Sequence, residues 1–249
     1  MTSCEAIRFI GNRERRLTDT PVCPRLDSCV IHCHRFLTNL DDQDMASLCR
    51  TSKSIQLDPQ QMLFRENEKA SRFFVVLSGR MKLVRINGQG RECILGSASE
   101  GDVLGEVAAC APEGTYPYDA QCLESAEVQA FSARSLKEMI NARSDYVSDA
   151  LGYMSEAVHR NVNEVEILSR PGAQDRLVRF ILQLLPEKAG SATEEIELPL
   201  PKGLIASRLA MQPETLSRLL TDLRRKGVLD VDRRRVVVHD RQALEALSL

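Results

Sequence analysis

The sequence predicts an α+β chain with three structured parts: a β-roll, one long helix, and a C-terminal helix-turn-helix followed by a β-wing. Three observations predict this fold class. Short β-type runs broken by glycine turns fill residues 53–132. Apolar residues at helical spacing continue from Ser144 to Ser169. Near the C-terminus, two short helix-compatible segments joined by a tight connection precede a pair of β runs.

The charge is distributed unevenly along the 249 residues, whose net charge is −2. Residues 170–249 hold 14 Lys and Arg against 11 Asp and Glu, whereas residues 1–169 hold 19 against 24. The basic excess therefore lies on the C-terminal part, as nucleic-acid binding requires. A chain of this length is long enough for two domains, each with its own core.

The cellular compartment follows from what the sequence lacks. It contains no apolar run long enough to span a membrane, and its N-terminus has no apolar signal core. We therefore expect a cytoplasmic chain without a membrane partner. Its eight cysteines are then expected to be free, redox-active or metal-bound rather than paired in disulfides.

We predict four segments in order. Residues 1–34 form an irregular, cysteine-bearing N-terminal segment, and residues 35–132 form the β-roll sensor domain. Residues 133–169 carry the dimerisation helix, and residues 170–249 form the winged helix-turn-helix domain. Within the roll, the predicted turns are Ser78-Gly79, residues 87–90, Gly101-Asp102 and Glu113-Gly114.

The long helix carries a seam of apolar residues with one polar member. The predicted seam consists of Val147, Leu151, Met154, Val158, Asn161, Val165 and Leu168. Such spacing is typical of a coiled coil, and a buried Asn favours a parallel dimer in one register. We expect a homodimer; the alternative is a helix that packs on its own domain. Pro171-Gly172 after the helix predicts a hinge.

The second helix of the helix-turn-helix has two distinct faces. Pro213 suits its first position, and its apolar face consists of Leu216, Leu219, Leu220 and Leu223. The opposite face offers a carboxylate, a hydroxyl and a guanidinium near the helix start, from Glu214, Ser217 and Arg218. An Arg side chain can bind guanine O6 and N7, and a carboxylate can accept from cytosine N4. This helix is therefore predicted to read double-stranded DNA in the major groove.

Basic residues flank the reading helix. Residues 210–212 form the tight connection before it, and Gly227 is placed to cap its C-terminus. Two β runs, 228–231 and 235–238, then predict a wing. The predicted phosphate contacts in this region are Arg224, Arg225, Lys226, Arg233, Arg234 and Arg235.

A β-roll, a dimer helix and a winged helix-turn-helix in this order resemble the Crp/Fnr superfamily of bacterial transcription regulators. The resemblance covers residues 35–245. It depends on residues 73–79 (FFVVLSG), residues 101–106 (GDVLGE) and Glu214-x-x-Ser217-Arg218. It implies a cyclic-nucleotide-binding-type β-roll and a symmetric dimer on a TTGAT-N4-ATCAA-like palindrome. Arg218 would read the guanine, Glu214 the opposing strand and Ser217 the thymine side.

The residues around Gln212-Pro213-Glu214 look like the Fnr/Dnr-like subgroup, which controls nitrate respiration and the response to nitric oxide. We accordingly expect a regulator, and specifically an activator that contacts RNA polymerase. A cupin-like metalloenzyme is the rival from another class. It needs several histidines inside the roll, and the sequence has none between His34 and His159. We therefore expect no enzymatic activity.

A cyclic nucleotide is the first candidate signal for such a roll. The family binds its phosphate through an Arg, and Pro117-Tyr118 stands at that place here. Moreover, residues 92–133 contain no Lys or Arg. A desolvated phosphate without a cation is costly, so the sequence argues against this ligand.

The second candidate is a 4Fe–4S cluster on Cys23, Cys29 and Cys33, since Fnr-type oxygen sensors carry a similar N-terminal cysteine group. The close cysteine pair of that family is missing here. The family's fourth ligand position corresponds to Gln129. If Ser125-Ala126 forms a hairpin turn, Cys122 lies directly across from Gln129 and could supply the ligand.

Three alternatives to the cluster remain. Haem is one, because His32 and His34 flank Cys33. A Cys/His zinc site and a metal-free thiol switch, or no cofactor at all, are the others. Cys49 and Cys93 are expected to be core residues.

Asn161 bears on how the signal would act. Fnr-type sensors place an Asp in the dimer seam at this position, and paired carboxylates repel each other. Asn161 is neutral and can pair with its twin. We therefore expect a dimer even without cofactor, in which a ligand reorients the reading helices.

Overall fold

The structure is a computed structural model that describes residue 37, residues 39–186 and residues 193–247. Its helices are α1 (Asp42–Arg50), α2 (Glu106–Cys110), α3 (Ala133–Ala142), α4 (Ser144–Ser169), α5 (Ala173–Leu184), α6 (Lys202–Arg208), α7 (Pro213–Arg225) and α8 (Arg241–Ala246). Its strands are β1 (Lys53–Leu57), β2 (Met62–Phe64), β3 (Arg72–Ile86), β4 (Glu92–Ser99), β5 (Val103–Leu104), β6 (Asp119–Ser132), β7 (Glu194–Glu197), β8 (Leu229–Asp232) and β9 (Arg235–Val238). This order confirms the predicted fold class.

The chain divides into two compact units. One contains the described residues up to Met81 together with Ala98–Met154, and the other contains Lys82–Ser97 together with the described residues from Ser155 onward. Among the helices that the structure describes, none has the length and apolar character needed to cross a membrane.

The roll is a six-stranded sheet in which β1, β6, β3 and β4 follow one another, with β2 on β6 and β5 on β3. Two of its predicted turns are correct: residues 87–90 separate β3 from β4, and Gly101-Asp102 separates β4 from β5. Glu113-Gly114 also lies outside regular structure, between α2 and β6.

The predicted turns at Ser78-Gly79 and at Ser125-Ala126 are wrong, because both pairs of residues lie inside long strands. Gly79 lies in β3, a strand of 15 residues, and has a positive φ of 82°. A Cβ atom on Gly79 would lie 2.2 Å from the carbonyl oxygen of Ser125. Ser125-Ala126 is likewise inside β6, where Ala126 pairs with Leu57 of β1. Glycine is therefore needed where the two strands approach, not where the chain reverses.

The core of the first unit lies between the sheet and helices α1 and α3. The rings of Phe73 and Phe131 stack there, with centroids 5.1 Å apart, among buried side chains such as Leu48 and Leu136. The start of α4 is attached to α1, since the Tyr146 hydroxyl donates to Asp44 (2.9 Å). The N-terminal part of α4 is thus held by its own roll.

The second unit contains the helix-turn-helix and a three-stranded sheet in the order β7-β9-β8. Leu177, Val178, Phe180 and Ile181 of α5 are buried, as their helical spacing predicts. Strand β7 was not predicted. Its alternation of buried Glu194 and Ile196 with exposed neighbours is a period-2 pattern, but it spans only four residues.

Candidate nucleic-acid interface

Helix α7 separates an apolar face from a polar one, as predicted. Leu216, Leu220 and Leu223 are buried, and Leu219 is half-buried. The helix begins at Pro213, whose missing N–H costs nothing at this position. The buried leucines hold the helix on α5 and α6, so its other face stays available to a partner.

Gly227 caps the C-terminus of α7 in a Schellman motif. Its φ is +71°, its N–H donates to the carbonyl of Arg224 (2.9 Å), and the N–H of Val228 donates to that of Leu223 (3.1 Å). Val228 and Leu223 are both buried, which supplies the apolar contact of this motif. The predicted left-handed cap is confirmed, and it directs the chain from α7 into the wing.

Arg176 of α5 fixes the turn between α6 and α7. Its guanidinium donates to the carbonyl oxygens of Leu209 (2.8 Å) and Ala210 (3.2 Å). The same side chain donates to the carbonyls of Arg170 (2.8 Å) and Pro171 (3.3 Å). Ala210 has a φ of +50°, which L residues seldom adopt. Sequence reasoning missed Arg176, because its role depends on two loops that meet only in the fold.

The three predicted reading residues lie together on the outer face of α7. Glu214, Ser217 and Arg218 are all exposed, and they occupy the first two turns of the helix. Thr221 follows on this face, with its hydroxyl donating to the carbonyl of Ser217 (2.8 Å). The arrangement brings a carboxylate, a hydroxyl and a guanidinium to one exposed surface, where each has free capacity for hydrogen bonds.

The six predicted phosphate-contacting residues fall into two groups. Four of them are ion-paired: Arg224 with Asp230 (2.9 Å), Arg225 with Asp222 (3.5 Å), Arg235 with Glu195 (2.5 Å), and Arg234 with Glu197. Lys226 and Arg233 are exposed and have no carboxylate within ion-pair distance in the described part of the chain. Sequence reasoning placed all six correctly near the wing but could not foresee these partners.

Asp230 connects the end of α7 to the wing. It accepts from the Arg224 side chain, and its other carboxylate oxygen lies 3.0 Å from Nε2 of His239. The hydrogen bond with His239, followed by the charge of Arg224, lowers the pKa of Asp230. The carboxylate thus stays charged beside the basic residues.

The predicted dimer seam is largely exposed. Leu151 and Val165 are 63% and 64% exposed, and Val147, Val158, Asn161 and Leu168 are also exposed, while Met154 is half-buried. Val162, which the prediction omitted, is exposed as well. By contrast, Tyr153 and Ile167 of the same helix are buried. The helix therefore has one face that packs on its own chain and an apolar face that does not.

The predicted cysteine ligands do not converge in the described residues. Cys23, Cys29 and Cys33, with His32 and His34, lie outside them. Across residues 37, 39–186 and 193–247, no three His, Cys, Asp or Glu side chains are grouped to hold a metal ion.

The predicted pairing of Cys122 with Gln129 is wrong. Both residues lie on the single strand β6, about 23 Å apart at 3.3 Å per residue. The Cys122 thiol is buried and donates to the carbonyl of Glu124 (2.8 Å). Burial raises its pKa. Gln129 donates instead to the hydroxyl of Ser52 (2.6 Å).

The remaining described thiols differ in exposure. Cys49 is half-buried against the core of the roll, as expected. Cys93 is exposed on β4, so its predicted place in the core is wrong. Cys110 ends helix α2, and burial, followed by the nearby Glu106 carboxylate, raises its pKa to about 11.

Aromatic side chains occupy the part of the roll next to Gly105 and Glu106. The rings of Phe64 and Tyr116 stack with centroids 3.9 Å apart, and Tyr118 lies 5.8 Å from Phe64. A Cβ on Gly105 would lie 2.7 Å from the Tyr116 ring. The Glu106 carboxylate is buried and accepts from the Tyr153 hydroxyl (2.6 Å). This region is therefore filled by the protein's own side chains.

Comparison with known proteins supports the assignment of the β-roll and of the helix-turn-helix domain. Residues 54–143 match the family model of the cyclic nucleotide-binding domain, and residues 175–247 match that of the Crp-like helix-turn-helix domain. The chain is 28% identical to the fumarate and nitrate reduction regulatory protein of Salmonella typhimurium over 232 residues, 88% of this chain and 91% of that protein. Electron transport regulator A of Shewanella oneidensis is 27% identical over the same coverage.

The fold has a close counterpart among solved structures. The structure of FixK2 from Bradyrhizobium japonicum superposes with a TM-score of 0.68 at 20% identity, covering 80% of this chain and 98% of that one. The two domain matches follow the order of the domains in the fold. The regulators that align with 88% of the chain indicate the same family. The chain belongs to the Crp/Fnr superfamily of DNA-binding transcription regulators.

Proposed function

We propose that this protein is a homodimeric regulator that reads a TTGAT-N4-ATCAA-like palindrome and responds to oxygen, nitric oxide or redox state. The observation that carries the proposal is the outer face of α7, where Glu214, Ser217 and Arg218 are exposed while the leucines behind them are buried.

The reading chemistry follows from these three side chains. Arg218 donates two hydrogen bonds to O6 and N7 of guanine, and Glu214 accepts from cytosine N4 on the opposing strand. Ser217 contacts the thymine side. Lys226 and Arg233, which are exposed and unpaired in the described residues, neutralise phosphates and hold the helix in register.

A dimer is supported by the exposed apolar face of α4. Large apolar side chains exposed along one helix face mark an interaction surface in a monomer. A second copy of the helix, with Asn161 facing its twin, would cover Leu151, Val158 and Val165. Two reading helices related by this symmetry would meet successive major grooves about one helical turn apart.

Side chains of the protein fill the region of the roll beside Gly105 and Glu106, and this favours a signal other than a cyclic nucleotide. The rings of Phe64, Tyr116 and Tyr118 occupy the region beside Gly105, and the Glu106 carboxylate is held by Tyr153. Residues 92–133, which include the segment where the family binds phosphate, contain no Lys or Arg, so this segment offers no cation to a buried phosphate.

We propose that the signal acts through Cys23, Cys29 and Cys33 as ligands of a 4Fe–4S cluster. The described residues alone do not form a cluster site, and the enclosed thiol of Cys122 does not fit as the fourth ligand. The names of the relatives, a fumarate and nitrate reduction regulator and an electron transport regulator, favour a respiratory signal. Haem and a metal-free thiol switch are the alternatives on the same scaffold.

DNA footprinting with and without air tests the proposal. The expected result is protection of an inverted repeat with two half-sites, and the proposal would be overturned if no inverted repeat were preferred under either condition.

An absorbance spectrum of anaerobically purified protein separates the cofactors, because a broad visible band indicates a cluster and a sharp Soret band indicates haem. The variant Cys122→Ser should leave this spectrum unchanged.

We further propose that the DNA-bound dimer activates transcription by contacting RNA polymerase. A reconstituted transcription reaction on a promoter that carries the palindrome tests this step. More transcript in the presence of the protein is expected, and less transcript would indicate a repressor.

A further inference from the structure

Strand β7 places two carboxylates beside the wing. In the register of β7 against β9, Glu195 lies opposite Val237 and Glu197 lies opposite Arg235. Both glutamates are exposed, whereas Ile196 between them is buried. The period-2 alternation of a strand therefore directs the two carboxylates to the surface that carries the wing arginines.

Each carboxylate holds one arginine of the wing. Arg235 makes two hydrogen bonds to Glu195, from Nε to Oε1 (2.5 Å) and from Nη2 to Oε2 (2.5 Å). Nη2 of Arg234 donates to Oε1 of Glu197. A cleft of about 340 Å³ lies here, lined by these four residues and by Ile196, Asp232 and Arg233. The Arg235 guanidinium thus already has a two-oxygen anionic partner, which a phosphate would otherwise supply, and Arg234 already has a carboxylate partner.

The attachment of β7 does not depend on these ion pairs. Ile196, Leu198, Val236 and Val238 are buried on the opposite side. Backbone pairing joins β7 to β9 along all four residues of the strand. Ion pairs between exposed side chains add little to folding stability. Arg235 and Glu195 are both exposed, whereas the Arg234 side chain is 24% exposed in its pair with Glu197. Folding stability therefore does not explain the glutamate at position 195.

We propose that Glu195 and Glu197 compete with DNA phosphates for Arg235 and Arg234, and thereby lower the affinity of the protein for every DNA sequence. The inference rests on the proposed function, because it concerns how strongly the same interface binds. An arginine that is neutralised by its own carboxylate adds no phosphate contact until that pair opens. Phosphate contacts carry no sequence information, so the effect falls on non-specific and specific binding alike.

The test compares the wild type with Glu195→Gln, Glu197→Gln and the double variant. Fluorescence anisotropy measures binding to a TTGAT-N4-ATCAA duplex and to a scrambled duplex between 50 and 200 mM salt. The variants should bind both duplexes more tightly, by a similar factor. The slope of log K against log salt should steepen by about 0.9 for each freed arginine. Over this fourfold salt range, that is roughly a 3.5-fold greater loss of affinity per contact.

Two controls separate competition from a general change of charge. Asp232→Asn removes one negative charge from the same cleft, and the charge of Asp232 acts on Arg235 less than that of Glu195, which is hydrogen-bonded to the guanidinium. In an Arg235→Gln background, Glu195→Gln should have no further effect, since its partner is gone. Equal effects of Glu195→Gln and Asp232→Asn, or an undiminished effect in the Arg235→Gln background, would overturn the inference.

The outcomes also distinguish this inference from the proposed function. If the wild type binds neither duplex, the proposed function fails. If the wild type prefers the palindrome but the glutamine variants bind DNA no more tightly than Asp232→Asn does, the proposed function stands and only the inference about Glu195 and Glu197 is rejected. Circular dichroism and thermal unfolding check each variant. If the double variant does not unfold cooperatively, the single variant Glu195→Gln carries the comparison, because Arg235 and Glu195 are both exposed.

Discussion

Arg208 and Glu164 form a two-bond ion pair that joins the first helix of the helix-turn-helix to the long helix α4. Nε of Arg208 donates to Oε1 of Glu164 (2.8 Å), and Nη2 donates to Oε2 (2.9 Å). The side chains are only 19% and 23% exposed, and the guanidinium lies 5.5 Å from the centre of the Phe180 ring. The pair therefore has little solvent around it, unlike the exposed pairs of Arg224, Arg225 and Arg235.

Replacing Glu164 with Gln should destabilise the protein. The change leaves the half-enclosed Arg208 without its charged partner, and we expect a loss of about 1–2 kcal/mol, between the limits for exposed and buried pairs. Urea unfolding measures it. Asp149→Asn, at an exposed position of the same helix, is the control. Equal stability of the two variants would contradict an energetic role for the pair.

Acid should weaken a second ion pair at the end of α4. Hydrogen bonds from Arg170, followed by Arg179, lower the pKa of Glu166 from its usual 4.5. A lowered pKa contributes stability that is full above about pH 4.5 and is lost as the pH falls through the folded value. The stability difference between the wild type and Glu166→Gln should therefore be constant near neutral pH and shrink in acid. Urea unfolding over this pH range checks it, and a difference independent of pH would argue against the pair.

Arg218 and Lys226 should affect DNA binding in different ways. Arg218→Ala removes a base contact, so we expect a loss of about 1–3 kcal/mol on the palindrome and a relaxed preference at one base pair. Lys226→Ala removes a phosphate contact, so it should weaken binding to all sequences alike and reduce the salt slope by about 1. Binding titrations on single-base variants of the palindrome make the comparison. A uniform loss for Arg218→Ala would mean that Arg218 contacts only phosphate.

The wild type should be a dimer at micromolar concentration, even without cofactor. Asn161→Asp should shift it towards the monomer, because two carboxylates would then face each other across the seam. Asn163→Asp introduces the same charge at an exposed position outside the predicted seam and should leave the dimer intact. Sedimentation equilibrium gives the association state. A monomeric wild type would refute the prediction.

Iodoacetamide should distinguish the described thiols by their environment. Cys93 is exposed and should react rapidly near neutral pH. Cys110 should react slowly, because its pKa is about 11 and the thiolate is scarce. Cys122 should also be slow, since its thiol is buried among carbonyl oxygens. Peptide mass spectrometry over time reports all three in one sample, and rapid labelling of Cys122 would show that its strand opens.

Local signals in the sequence predicted the DNA-binding part well. The bounds of α4, the start of α7 at Pro213 and the cap at Gly227 all follow from short-range patterns: helical spacing of apolar residues, and residues suited to helix ends. Such features need no knowledge of distant partners. The polar face of α7 was predictable for the same reason.

The wrong predictions concern residues whose conformation or partner depends on a strand that is distant in the sequence. Glycine in a β run predicts a turn at Gly79, but the approach of Ser125 in β6 is what requires a glycine there. The turn predicted at Ser125-Ala126 fails in the same way, since it would divide the single strand β6 and place Cys122 opposite Gln129. The partners of the wing arginines were also out of reach, because they depend on β7, a strand of four residues whose register is set by β9.

One guanidinium has a mechanical consequence. Because Arg176 is bonded to carbonyl oxygens at Arg170 and Pro171 and also at Leu209 and Ala210, the predicted hinge at Pro171-Gly172 is braced rather than loose. A rotation of the last turns of α4 would then be transmitted to the α6–α7 turn, because the connecting segment is held by these hydrogen bonds. Any flexible hinge has to lie elsewhere along the chain.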